Sequence, residues 1–144
     1  MQTKPSKKYQ VTITRQDEAH ALAETRGHEL KLNIKKGNGA AGFNADETLL
    51  SALGACLLTN VNAIGEKMRL QIDDAHIKFD AERRDEPPVL KKITYRLVLE
   101  SPDPQEKLQE LHDLSFKWGT VTSTLVIGLV PEGKLVIKNP SKVE

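Results

Sequence analysis

The sequence has a single cysteine, almost no net charge and no long apolar run. Each shortage excludes something. A lone thiol, Cys56, cannot close an intrachain disulfide, so nothing points to an oxidising compartment. Lys and Arg number 21 against 20 Asp and Glu, and a net charge of +1 implies no bulk attraction to nucleic acid or to a membrane surface. No stretch approaches the roughly 18 consecutive apolar residues of a membrane span. The N-terminus, Met1-Gln2-Thr3-Lys4-Pro5-Ser6-Lys7-Lys8, lacks the apolar centre of a secretory signal. A cytoplasmic protein is therefore expected. With 144 residues the chain suits one domain, 1–144. A folded monomer of this size should bury about 70% of the surface its unfolded chain exposes, enough for a core without staples.

What is present is hydrophobic patterning of two periods. Tyr9, Val11 and Ile13 alternate with polar residues and read as a strand; residues 19–25 are a weaker one. Leu30, Leu32 and Ile34 mark a third strand, with Arg26-Gly27-His28 as the hairpin turn before it. A helix fits about 46–68. Strands follow at 74–83 and around Ile93, Tyr95, Leu97 and Leu99, separated by the break Asp85-Glu86-Pro87-Pro88. Asp103-Pro104-Gln105-Glu106 reads as a capped helix start, and Leu108, Leu111 and Leu114 line one side of the helix it opens. Residues 120–130 are β-branched without a clean period, and Gly133–Lys138 reads as a final strand. The expected class is α+β, an antiparallel sheet carrying a long central helix and a second helix.

On the central helix the large apolar residues from Leu49 to Met68 spread over about 200° at 100° per residue. One sheet covers about half of that arc. The surplus must meet the other helix, a second chain, or both. Gly54 and Gly65 lie on one side, where another backbone could approach closely.

Three chemical readings fall away. Lys36 to Gly42 contains a literal GxGxxG, but dinucleotide binding needs the helix to open inside the glycines, and here it starts after Asn44. His20, His28, His76 and His112 show no metal-ligand spacing, Cys56 has no CxxC partner, and solvated positions account for the histidines; no metal or cofactor is expected. No serine lies in a nucleophile elbow. Cys56 remains. A buried cysteine is commonly inert packing, but this one sits at the margin of the apolar arc beside small residues, with Asn60 one turn on. At ten residues from Asp46 it is too far from the helix N-terminus to be activated by it. A reactive thiolate here would need a cation, most simply an arginine.

The segment Gly42-Phe43-Asn44-Ala45-Asp46-Glu47-Thr48-Leu49-Leu50-Ser51-Ala52-Leu53-Gly54-Ala55-Cys56 resembles the signature of the OsmC/Ohr family. That signature is Asn-Pro-Glu-(Glu/Gln)-Leu-Leu, then small and apolar residues and a cysteine twelve positions after the Asn. Two further stretches are similar to the family, Glu82 to Pro88 before a strand and Lys117-Trp118-Gly119-Thr120-Val121-Thr122-Ser123-Thr124-Leu125 after an acidic-capped helix.

The resemblance implies an intertwined α+β homodimer around the long helix. It also implies a peroxiredoxin-type oxidoreductase activity in the oxidative stress response, on organic hydroperoxides. In that chemistry one thiolate becomes a sulfenic acid, a second thiol resolves it, and an external dithiol restores the enzyme. Cys56 matches the first thiol. Asp46, with Glu47 beside it, matches a glutamate that orients an arginine; Arg15 is the choice for that arginine and Arg26 the rival. The second cysteine is missing: Gly119 stands in its place. The chain is thus expected to use Cys56 with an external resolving thiol, or else to be a non-catalytic dimer that binds a small apolar ligand or serves a structural role. Asp46 and Cys56 of one unbroken helix are about 15 Å apart along its axis, which places the expected site at a chain interface.

Overall fold

In the computed structural model, which describes residues 6–138, two antiparallel sheets and three helices follow one another along the chain. β1 (Thr12–Arg15), β2 (His20–Thr25) and β3 (His28–Asn33) form the first sheet, in that order. Asp17 shapes the β1–β2 turn by accepting from the backbone N–H of Ala19 and of His20, each at 2.8 Å. Arg26 (φ 49°) and Gly27 (φ 82°) are the two central residues of the β2–β3 turn, and positive φ at both is what a tight two-residue hairpin requires. Asn33, buried at the end of β3, secures the glycine-rich loop. Its side chain donates to the carbonyl of Asn38 and accepts from the N–H of Lys35, while its own N–H bonds the carbonyl of Phe43. The loop holds one 3-10 turn, Gly39–Ala41, and α1 opens beyond it, so the glycines do not form a phosphate cradle.

α1 runs from Ala45 to Lys67. Asn44 caps it: its side chain accepts from Glu47 N at 2.9 Å, and Glu47 Oε1 accepts from Asn44 N at 3.0 Å. This reciprocal box satisfies two backbone donors that the first helical turn cannot pair. β4 (Asp74–Asp85) and β5 (Pro88–Glu100) form a long hairpin with a register shift at Glu82/Arg83. Ala75, Ile77 and Phe79 alternate with exposed His76, Lys78 and Asp80, and the half-buried side of the hairpin takes Tyr95, Leu97 and Leu99 from β5. α2 (Gln105–Lys117) and α3 (Thr120–Ile127) are separated only by Trp118-Gly119.

The core lies between the helices and the hairpin. Leu53, Leu57 and Val61 of α1 and Leu111 of α2 are its buried side chains, and Ala21 of β2 is buried with Ala19 of the β1–β2 turn. α1 packs on α2, α3 and β4, so the other helices of the same chain take part of the surplus apolar arc. By length and composition α1 is apolar enough to cross a bilayer, although it holds no unbroken apolar run of that length; core helices of folded proteins meet the same measure.

Several expectations are corrected. There are two sheets instead of one; residues 120–127, whose pattern left their conformation open, are helical. Asp103 does not cap α2. Pro104 holds the cap position without a side-chain bond, and Asp103 Oδ2 instead accepts from Gln71 N at 2.6 Å, tying the exit of α1 to the entry of α2. Gly54 and Gly65 admit side chains of this chain instead of another backbone. A Cβ on Gly54 would stand 3.0 Å from the Phe79 ring, and one on Gly65 3.7 Å from Ile72 and Leu111. Gly133–Lys138 is not a strand. Residues 129–138 make no backbone hydrogen bond to another described segment, and Leu135, Val136 and Ile137 are exposed. Strand conformation needs a neighbour for its N–H and C=O groups, and none of the chain's own strands lies alongside.

The single chain also buries far less than its size suggests. It exposes 12477 Å², against about 7400 Å² for a folded monomer of this mass. That corresponds to burial of only about 46% of the extended-chain surface instead of about 70%.

Candidate thiol site

Cys56 faces the break between α2 and α3. It is half-buried, on the third turn of α1, and its Sγ lies 3.0 Å from where a Cβ on Gly119 would stand. The same point is 2.8 Å from Thr122 Oγ1 and 3.2 Å from the carbonyl oxygen of Ser115. Contacts at or below 3.0 Å leave no room for a side chain at 119 unless a neighbour shifts. The glycine therefore allows the α2–α3 break to close onto the thiol. Asn60, one turn beyond Cys56, donates from Nδ2 to the Ser115 carbonyl at 3.1 Å and fixes the distance between the two helices.

Two hydroxyls in this wall have no partner. Ser115 Oγ and Thr122 Oγ1 are buried without a hydrogen bond, in side chains 0% and 3% exposed. Leaving a buried hydroxyl unpaired costs about 1–3 kcal/mol, so each is an anomaly. Outside Gly119 lies an open groove of about 500 Å³, lined among others by Trp118, Ile127 and Leu129. Gly119 lines this groove and Cys56 does not.

The other expected residues are elsewhere in the chain. Asp46 is exposed in the first turn of α1, and Glu47 is engaged in the capping box. α1 is unbroken from Ala45 to Lys67, so neither carboxylate reaches the thiol of its own helix. Arg15 and Arg26 are both exposed, on a sheet that packs chiefly on itself and on the 39–41 turn. Arg15 pairs with Ala21 near one end of β2, while Arg26 follows its other end. The two therefore stand roughly 16 Å apart along the strand. Among the described residues neither forms an ion pair with Asp46 or Glu47. The structure thus groups Cys56 with Gly119, Thr122, Ser115 and Asn60, and not with the acidic pair or the arginines.

His112 is not merely solvated. Its Nε2 accepts from the Tyr95 hydroxyl at 2.6 Å, and its Nδ1–H donates to Asp113 Oδ1 at 2.9 Å. The hydrogen bond from His112 draws the Asp113 carboxyl below its ordinary value, with a further bond from Gln109. Burial, and secondarily the Asp113 charge, push the Tyr95 phenol above its ordinary value of 10.0. The neutral phenol is therefore favoured, and the chain Tyr95–His112–Asp113 fastens β5 to α2. Among the described residues no group of His, Cys, Asp and Glu is arranged to hold a metal ion.

The chain matches the family model described as OsmC-like protein over residues 36–130. No curated protein matches it. Among solved structures it is similar to an OsmC-like protein from Mycoplasma pneumoniae, with a TM-score of 0.78 and 23% identity over 85% of this chain and 89% of that one. An organic hydroperoxide resistance protein from Legionella pneumophila gives a TM-score of 0.62 at 13% identity, over 85% and 91% of the two chains. The organic hydroperoxide resistance protein OhrB of Bacillus subtilis gives 0.57 at 19%, over 81% and 90%. At these identities the structural likenesses speak for the fold. The family model spans about two thirds of the sequence, including Cys56 and Gly119, and by that match the chain belongs to the OsmC-like family.

Proposed function

We propose that the protein is a thiol-dependent hydroperoxide reductase in which Cys56 is the single peroxidatic cysteine and an external thiol resolves its sulfenic acid. One observation carries the reading. Cys56 Sγ lies against Gly119, the position where the family resemblance expects the resolving cysteine. A cysteine side chain at that position would lie next to Cys56 Sγ, which supports reading the chain as one that lacks only the second sulfur. Two of the structural neighbours are organic hydroperoxide resistance proteins, in keeping with that substrate class.

The protein would act as a homodimer in the cytoplasm. The excess exposed area, and the exposed apolar side chains Ile13 and Leu30 of the first sheet with Val11 and Ile34 at its strand ends, support a partner chain. A partner could also bring Arg15 or Arg26, with Asp46 or Glu47, to the thiol that they cannot serve in their own chain. Turnover of cumene hydroperoxide with a dithiol tests the mechanism. The wild type should consume peroxide and Cys56→Ser should not; equal rates would end the proposal.

The apolar groove outside Gly119 favours a second reading, a non-catalytic dimer that binds a small apolar ligand. Native mass spectrometry of the purified protein showing a retained small molecule, with no Cys56-dependent turnover, would favour it.

A further inference from the structure

The unpaired Thr122 hydroxyl beside the thiol asks for an explanation that packing does not supply. Thr122 Oγ1 is buried, has no hydrogen-bond partner, and is directed at the same point that Cys56 Sγ touches. The Ser115 carbonyl oxygen lies 3.2 Å from that point, accepts one bond from Asn60 and has a second lone pair free. A sulfenic acid has one O–H donor and an oxygen acceptor. The wall beside Cys56 offers the complementary set, one hydroxyl donor and one carbonyl acceptor.

We propose that Thr122 is a further catalytic residue, whose hydroxyl donates to the oxygen that Cys56 acquires, while the Ser115 carbonyl accepts the sulfenic proton. The inference rests on the peroxidase reading and specifies how the oxidised thiol is held in the absence of a second cysteine. The Cys56 thiolate attacks one peroxide oxygen, the O–O bond breaks, and the S–O bond forms. Sulfur is oxidised by two electrons and the peroxide reduced by two. The departing alkoxide takes a proton and leaves as the alcohol. An external dithiol then attacks sulfur, water departs, and the second thiol of the reductant displaces Cys56 from the mixed disulfide. Between these steps the sulfenic acid must wait for a molecule from solution. A pocket that satisfies it on both sides protects it during that wait. The reduced protein leaves Thr122 unpaired and the oxidised one pairs it, so the bond is gained on oxidation.

Thr122→Val removes the hydroxyl at nearly equal volume, and Thr122→Ser keeps it. Reduced proteins are treated with one equivalent of cumene hydroperoxide without thiol. They are then quenched at intervals with dimedone, and the Cys56 adduct is read by mass spectrometry. The wild type and Thr122→Ser should hold a persistent sulfenic acid, and Thr122→Val should lose it about tenfold faster, as expected for one hydrogen bond to a charged or strongly polar group. Thr122→Val should melt no lower than the wild type, because the hydroxyl it removes is unpaired; if it does not fold, Thr122→Ala makes the same comparison. Equal lifetimes in wild type and the hydroxyl-free variant would overturn the role of Thr122, even if peroxide turnover is normal. Hydroxyl-dependent lifetimes without turnover on added dithiol would keep that role and end the reductase reading. No Cys56 adduct in the wild type would end both.

Discussion

At the scale of single residues, Gly119 decides what Cys56 can do. The 3.0 Å between Cys56 Sγ and a Cβ at position 119 is roughly the separation that a disulfide spans between one Cβ and the opposite sulfur. Gly119→Cys is therefore expected to oxidise to an intrachain disulfide with Cys56, read as loss of both free thiols on peroxide treatment and their return with reductant. Two thiols that stay free in the folded variant would show that the α2–α3 break is held further from α1 than these distances imply. The new side chain would also displace Thr122 Oγ1, which lies 2.8 Å from the same point. A cysteine at 119 and a hydroxyl directed at Cys56 thus exclude each other. The cysteine and its glycine partner could be read from the family resemblance, which rests on short local motifs. Thr122 and Ser115 could not, because being without a hydrogen-bond partner is a property of packing and leaves no periodic trace. His112 was missed for a related reason: its wheel position is polar, and only the fold brings Tyr95 to it.

At the scale of elements, the N-terminus of α1 joins structure and proposed chemistry in one side chain. Glu47 completes the capping box, and it is also a candidate to orient an arginine. Glu47→Gln keeps an acceptor for Asn44 N–H and removes the charge. If the charge serves the thiol, this variant should lose peroxidase rate with little change in melting temperature, whereas Glu47→Ala should lose about 1 kcal/mol of stability as well. Unchanged turnover in Glu47→Gln would leave the residue with capping alone. The β5–α2 clamp gives a second test. The Tyr95 phenol is raised above 10.0 in the fold. Its neutral form therefore contributes stability that is fully present below the unfolded value and is lost as pH climbs past it toward the folded value. Tyr95→Phe should lower stability by about 1 kcal/mol at neutral pH and flatten the loss of stability above pH 10, followed by urea denaturation across alkaline pH. Helix α1 and the hairpins were legible because their patterns are local. The Asp103 cap was misread because its carboxylate is taken by Gln71, a residue remote in sequence.

At the scale of the whole molecule, the quantity that matters is surface. The chain exposes about 5000 Å² more than a monomer of its mass should; one partner of a large obligate interface buries roughly half that, and the exposed segment 129–138 accounts for part of the rest. Sedimentation velocity at micromolar concentration is expected to give a dimer, and a stable monomer would contradict the interface-bound site. The same surplus explains why Gly133–Lys138 was read as a strand and is not one here. The pattern of Leu135 and Ile137 suits pleated backbone, but pattern is local and pairing is not.

With Gly119 where a second thiol would stand, no disulfide can close within this sequence. Every disulfide it forms is a bond to another molecule. Oxidation should therefore leave the mobility of the isolated chain on a non-reducing gel unchanged, and what becomes covalently attached to Cys56 will identify the donor of the second sulfur.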